Sequence, residues 1–150
     1  MSKKVNCNLK GKIFEREIAN YLTCVSGSKF LRVPSSGAFG TVNKSTDSRF
    51  LGDVFSEDEM FHDIVIECKS YKSLSFGDLF NKNSVLYKWI EQSERESGKK
   101  GWILFFKINR IGTFMLEKTD SLCSIDYLGI DKSDELHLND DYIISRLRVE

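Results

Sequence analysis

The chain has a single proline and two histidines among its 150 residues, and its four cysteines, Cys7, Cys24, Cys68 and Cys123, stand far apart without a C-x-x-C pair. Such spacing argues against both a zinc site and a disulfide framework, and the cysteines are expected to be reduced thiols. His62 and His137 lack any neighbouring Cys/His cluster and read as ordinary surface or hairpin histidines. No apolar run reaches the roughly 18 residues that a membrane span requires. The opening Met1-Ser2-Lys3-Lys4 leads into polar residues rather than a signal-peptide core, so an intracellular protein is expected. Internal repeats and low-complexity linkers are absent as well. What is present, 41% hydrophobic residues including 11 Phe, suits one globular domain able to bury a substantial core.

Net charge is also missing, since 22 Lys and Arg balance 22 Asp and Glu, but the balance hides an asymmetry. Residues 1–50 carry 9 basic against 3 acidic side chains, a local +6, while residues 51–100 and 101–150 each sum to −3. Lys3, Lys4, Lys10, Lys12, Arg16, Arg32, Lys44 and Arg49 are thus candidates for a phosphate-facing surface, or for no more than a solvated basic face.

Periodicity predicts alternating helices and strands. Phe14, Ile18, Tyr21, Leu22 and Val25 recur at helical spacing and predict a helix from about Lys10 to Val25. At about 100° per residue, Glu15 falls about 60° from the centre of that stripe, at the edge of the core, whereas Glu17 faces water. Lys29 to Val33 reads as a strand ended by Pro34 and the Ser35-Ser36-Gly37 cluster, and a polar loop follows to Arg49. Phe76 to about Glu96 reads as one helix, with Leu79, Phe80, Leu86, Trp89 and Ile90 on its apolar side. Gly101 to Ile108 is a nearly continuous apolar run expected at the centre of a sheet. The turn Asn109-Arg110-Ile111-Gly112 leads into a hairpin partner, Thr113 to Glu117. The acidic C-terminal third is expected to cap the sheet, and Asp141 to Val149 reads equally as a helix or an edge strand. Trp89 and Trp102 are expected in the core.

The most informative stretch is Leu51-Gly52-Asp53-Val54, followed after a short acidic turn by Asp63-Ile64-Val65-Ile66-Glu67-Cys68-Lys69. Strand side chains alternate faces, so Val65, Glu67 and Lys69 share one side and Ile64, Ile66 and Cys68 the other. If Asp53-Val54-Phe55 pairs antiparallel with this strand, Asp53 brings a second carboxylate to the same spot. Two acids beside an ammonium are costly unless a divalent cation neutralises them. Lys72, just beyond, is a candidate phosphate contact. Gln92 has the same possibility from its helix but stays outside the catalytic set.

This D-x(n)-E-x-K arrangement resembles the PD-(D/E)XK nuclease superfamily, with Gly52-Asp53 in place of Pro-Asp. Two further blocks bring the resemblance closer to the Holliday-junction-resolvase-like branch of archaea and bacterial viruses. Gly11-Lys12-Ile13-Phe14-Glu15-Arg16 is similar to G-x-x-x-E-R, and Arg32-Val33-Pro34-Ser35-Ser36-Gly37 to R-x-x-x-S-G. Trp89, Gln92 and Glu96, followed by Phe105-Phe106-Lys107 and Asn109-Arg110, look like the version in short phage nucleases. The similarity covers roughly residues 10–110 and leaves the C-terminal third unassigned.

The resemblance implies an α/β, restriction-endonuclease-like core, a central mixed sheet flanked by helices. It also implies Mg²⁺ or Mn²⁺ as cofactor, with Asp53 and Glu67 as metal ligands and Glu15 completing the acidic cluster. Lys69 would position or help deprotonate the attacking water, Ser36 would contact the scissile phosphate or the metal water, and Arg32 a neighbouring phosphate. Lys12, Arg16 and Lys72 join Arg32 as expected DNA contacts. The expected activity is structure-selective cleavage of branched DNA by a homodimer. A sequence-specific homing or restriction-type endonuclease and a non-cutting nucleic-acid-binding module are the alternatives.

Overall fold

A computed structural model describes residues 6–34, 48–121 and 123–149. Its centre is a seven-stranded mixed sheet in the order β1-β2-β3-β4-β5-β7-β6. The strands are β1 (Phe30–Arg32), β2 (Val54–Ser56), β3 (Ile64–Tyr71), β4 (Gly101–Ile108), β5 (Gly112–Lys118), β6 (Lys132–His137) and β7 (Tyr142–Leu147). Among the strands of the described residues only β3 and β4 pair in parallel, and the crossover between them includes helix α2 (Val85–Ser97). Helix α1 (Cys7–Ser26) covers the opposite face. The α/β architecture expected from the sequence is therefore present.

Helix α1 starts three residues before the predicted Lys10 because the Asn6 side chain accepts the Asn8 N–H and caps it. It stops at Gly27, whose φ of +75° and N–H bond to the Thr23 carbonyl close the last turn. The apolar stripe Phe14, Ile18, Ala19 and Leu22 is buried against Ile64, Ile66, Cys68, Ile103 and Phe105. On the other face, Leu86, Trp89 and Ile90 of α2 pack over Val65, Leu104, Phe106 and Leu116. The alternation of β3 thus divides as its sequence predicts, and β4, buried on both faces along most of its length, is the sheet's central strand.

The single helix expected from Phe76 to Glu96 is instead two elements. Phe76–Leu79 forms a short 3₁₀ turn, and α2 begins only at Val85. Side chains divert the backbone between them: Asp78 accepts the Ser75 N–H at 2.7 Å, Asn81 accepts the Asn83 N–H at 2.9 Å, and the Ser84 hydroxyl donates to the Asp78 carbonyl at 2.8 Å. As a result Phe76 and Phe80 are 76% and 69% exposed rather than on a core stripe.

The C-terminal third does not merely cap the sheet. A 3₁₀ segment, Cys123–Leu128, adds Ile125 and Leu128 to the α1-side core, and the rest extends the sheet. Tyr142–Leu147 is a strand held between β5 and β6, neither a helix nor an edge. The edge belongs to β6, where Asp134 at φ +50° and a register shift between Ser133 and Leu136 interrupt the ladder.

Candidate active site

The site forms where β2 leaves β3. Val54 pairs with Ile66, and the Asp53 N–H donates to the Ile66 carbonyl at 2.8 Å. Past Ile66 the neighbouring strand position is taken by a side chain, since Asp53 Oδ2 accepts the Cys68 N–H at 2.8 Å. This close approach depends on Gly52, which has φ +80° and would set a Cβ 2.5 Å from the Ile66 carbonyl oxygen. Proline, common at this position in the family resembled, holds φ near −65° and does not fit this backbone.

Glu67 and Lys69 project from β3 toward the α2 side. Glu67 is 2% exposed, and the Lys69 ammonium stands 3.8 Å from its carboxylate. Burial, reinforced by the charge of Asp53, pushes the Glu67 carboxyl up to about 9 from 4.5, against the pull of Lys69. Glu96 of α2 adds to the upward push, and a hydrogen bond links Glu67 to Asp53. Near neutral pH Glu67 therefore keeps its proton, in a hydrogen bond with Asp53.

Glu15 approaches from the other side of β3. It forms an ion pair with the guanidinium of Arg32, both side chains being about one-sixth exposed. Burial and then the charges of Asp53, Glu15 and Glu67 push the Cys68 thiol upward. Asp53, Glu67 and Lys69 are thus brought together, while Glu15 is paired with Arg32 and does not join the two acids in a closed group of three. Among the described residues, no three His, Cys, Asp or Glu side chains are grouped closely enough to enclose a metal ion. A pair of carboxylates is still sufficient for Mg²⁺, which keeps several waters and takes its other ligands from a phosphate.

Lys12 and Arg16 are exposed on α1, one turn apart, and Lys72 is exposed just after β3. Ser36 lies outside the described residues, as do Lys3, Lys4 and Lys44 and most of the polar loop before Arg49. His62 bonds the Ser56 carbonyl at 3.2 Å, His137 is exposed on β6, and Trp89 and Trp102 are buried, as the sequence suggests. Cys7, Cys24 and Cys68 are free thiols. No helix among the described residues is long and apolar enough to cross a membrane.

The sequence pattern groups Glu96 with Trp89 and Gln92 but assigns it no part in the site. Glu96 accepts a hydrogen bond from Gln92 at 3.0 Å and its charge acts on Glu67, so this face of α2 belongs to the site. The i, i+4 spacing of Gln92 and Glu96 was the available signal, but only the packing of α2 over β3 reveals what it faces.

No curated protein and no solved structure matches the chain. A family model described as "Phage putative PDDEXK endonuclease" matches residues 6–132, a span that includes Asp53, Glu67, Lys69 and both helices. The geometry of an acidic pair and a lysine on a forked sheet, and a match over most of the sequence, lead to the same conclusion: the chain belongs to the phage PD-(D/E)XK endonuclease family.

Proposed function

We propose that this nuclease hydrolyses DNA phosphodiester bonds with Mg²⁺ or Mn²⁺ held by Asp53 and Glu67, and that its preferred substrate is branched DNA, cut by a homodimer in the manner of a junction resolvase. The observation that carries the reading is the meeting of Asp53, Glu67 and Lys69 where β2 parts from β3. Two ionised acids in a buried site repel each other, and either a proton on Glu67 or a divalent cation held between them relieves the repulsion.

When bound, the cation polarises the phosphodiester, lowers the pKa of its water and stabilises charge on the leaving 3′ oxygen. Glu67 would hold the cation only after giving up its proton, so binding would be tighter at higher pH. Asp53 is held in place by the Cys68 N–H. Lys69, about one-quarter exposed, orients the attacking water and stabilises negative charge gathering on the phosphoryl oxygens. Glu15 completes the acidic group from α1. Ser36 would contact the scissile phosphate or the metal water, and Arg32, Lys12, Arg16 and Lys72 the flanking backbone.

Support for branched DNA over a specific duplex comes from the ordered G-x-x-x-E-R, R-x-x-x-S-G, Gly-Asp and E-x-K blocks. A sequence-specific enzyme would need base-reading elements, for which the polar loop and the C-terminal third are the candidates; the loop lies mostly outside the described residues, and the C-terminal third is built into the sheet as β6 and β7. The test is cleavage of a labelled four-way junction beside linear duplex of the same sequence, in Mg²⁺ or EDTA, by wild type and Glu67→Ala. Paired nicks in the junction alone, absent in EDTA and in the variant, are the expected result. Cutting at one duplex site would identify a sequence-specific enzyme, and binding without metal-dependent cleavage would sink both.

A further inference from the structure

An apolar groove of about 300 Å³ opens on the α2 side of the sheet. Its floor includes Phe106, Phe114 and Ile144, and Leu74, Phe76 and Leu79 form one wall. Phe106 is the register neighbour of Lys69, so the groove begins one strand away from the catalytic lysine on the same sheet face. At its mouth Phe76 and Phe80 stand edge to face, their centroids 5.2 Å apart, and both are among the most exposed apolar side chains described. Solvent-facing aromatic rings of this size mark a binding surface.

Along the chain the groove wall is flanked by exposed lysines, Lys72 before it and Lys82 after it. The acid in the wall, Asp78, is occupied by the backbone N–H and hydroxyl of Ser75. Beyond Tyr71 and Lys72 the ends of β3 and β4 border a second cleft of about 320 Å³ that also includes Lys10 and Asn109. A cationic cleft and an aromatic groove therefore share the loops after β3 and β4. That combination fits a nucleic-acid strand whose backbone follows the lysines while its bases stack on the rings.

Building on the proposed nuclease reading, we infer that Phe76 and Phe80 form a stacking platform for unpaired DNA bases, and that it is this platform which distinguishes branched or flapped DNA from continuous duplex. Paired bases in an intact duplex present only their edges, so the rings gain nothing from them. A base freed at a branch offers its face, which any sequence can do.

The experiment measures binding of the full-length protein in EDTA to a blunt duplex, the same duplex with a single-stranded oligothymidine flap, and the flap oligonucleotide alone. Phe76→Ala and Phe80→Ala are expected to weaken the flapped and single-stranded complexes about tenfold and leave the duplex affinity unchanged. Phe76→Tyr restores binding and Phe76→Leu does not, which separates stacking from simple apolar contact. Lys72→Ala weakens all DNA complexes. Equal or no weakening on flap and duplex would overturn the platform while leaving the nuclease reading intact. A shift from dimer to monomer in sedimentation of Phe76→Ala, with flap preference retained, would assign the groove to a second copy of the chain instead. Failure of the wild type to bind any of these DNAs would remove both readings.

Discussion

The carboxylate of Asp53 takes the Cys68 N–H at 2.8 Å, occupying with a side chain the place that the next residue pair of the β2–β3 ladder would fill. One residue thus ends the strand pairing, satisfies the orphaned backbone donor and brings its charge against Glu67. The structural role and the proposed chemical one meet at this position.

Asp53→Asn and Asp53→Ala separate those roles. The asparagine retains an oxygen for the Cys68 N–H and is expected to fold normally while metal-dependent cleavage falls by about a hundredfold or more. The alanine leaves a buried donor unpaired and is expected to be less stable by a further 1–3 kcal/mol or so. Thermal melts beside plasmid nicking measure both, and an asparagine variant as active as wild type would remove Asp53 from the metal site.

Glu67 makes stability depend on pH in a defined direction. Its carboxyl titrates near 4.5 when unfolded and near 9 when folded. The folded state therefore holds the proton more tightly, and its advantage is complete below about pH 4.5 and is lost as pH rises toward 9. Glu67→Gln abolishes the slope, so its stability gain over wild type is near zero at pH 4 and grows to the order of 3 kcal/mol at pH 7, at about 1.4 kcal/mol per unit. Urea melts at pH 4, 7 and 9 test this, and Mg²⁺ should reduce the gap at pH 7. A gap independent of pH would show that burial does not hold the proton.

Gly52→Ala places a methyl group 2.5 Å from the Ile66 carbonyl at a backbone φ of +80°. Something must move, and the segment that moves carries Asp53. Destabilisation on the order of 2–3 kcal/mol with a larger proportional drop in cleavage is expected. An alanine variant with wild-type cleavage would show that the close approach is dispensable.

Glu15 and Glu17 lie two residues apart on α1 and differ in surroundings. Glu17 pairs with Lys107 at 2.8 Å with both side chains nearly half exposed, and Glu17→Gln should change stability by less than about 0.5 kcal/mol. Glu15→Gln, at the partly buried pair with Arg32, is expected to raise the Mg²⁺ concentration needed for half-maximal cleavage. Metal titrations of the two variants compare them directly, and identical midpoints would leave Glu15 as an anchor for Arg32 alone.

The dependence of DNA affinity on salt reveals which cations touch phosphates. Replacing Lys12, Arg16 or Lys72 with alanine is expected to reduce the slope of log affinity against log salt by about 0.9 for each phosphate no longer neutralised, without changing substrate preference. An unchanged slope would show that the side chain replaced does not touch the DNA backbone.

Much of this arrangement was legible from local pattern. The two-residue period of β3 separates Glu67 and Lys69 from Ile66 and Cys68 whatever surrounds them, and the apolar run of β4 marks a strand covered on both faces. The break before α2 was obscured because Leu79 and Phe80 continue an apolar helical spacing, whereas Asp78, Asn81 and Ser84 bond locally and turn the chain. The fate of residues 142–147 depended on β5 and β6 providing partners on both sides, which no local signal specifies.

By itself, then, the sequence determined which residue types are present and which strand face each takes, because alternation is a property of the extended backbone. Tertiary structure decided that β2 parts from β3 at Asp53, that Glu67 is buried under α2 close to Glu96, that Glu15 meets Arg32, and that Phe76 and Phe80 remain in water. Proton affinity and exposure depend on what packs around a group, and here those neighbours come from elements far apart in the chain.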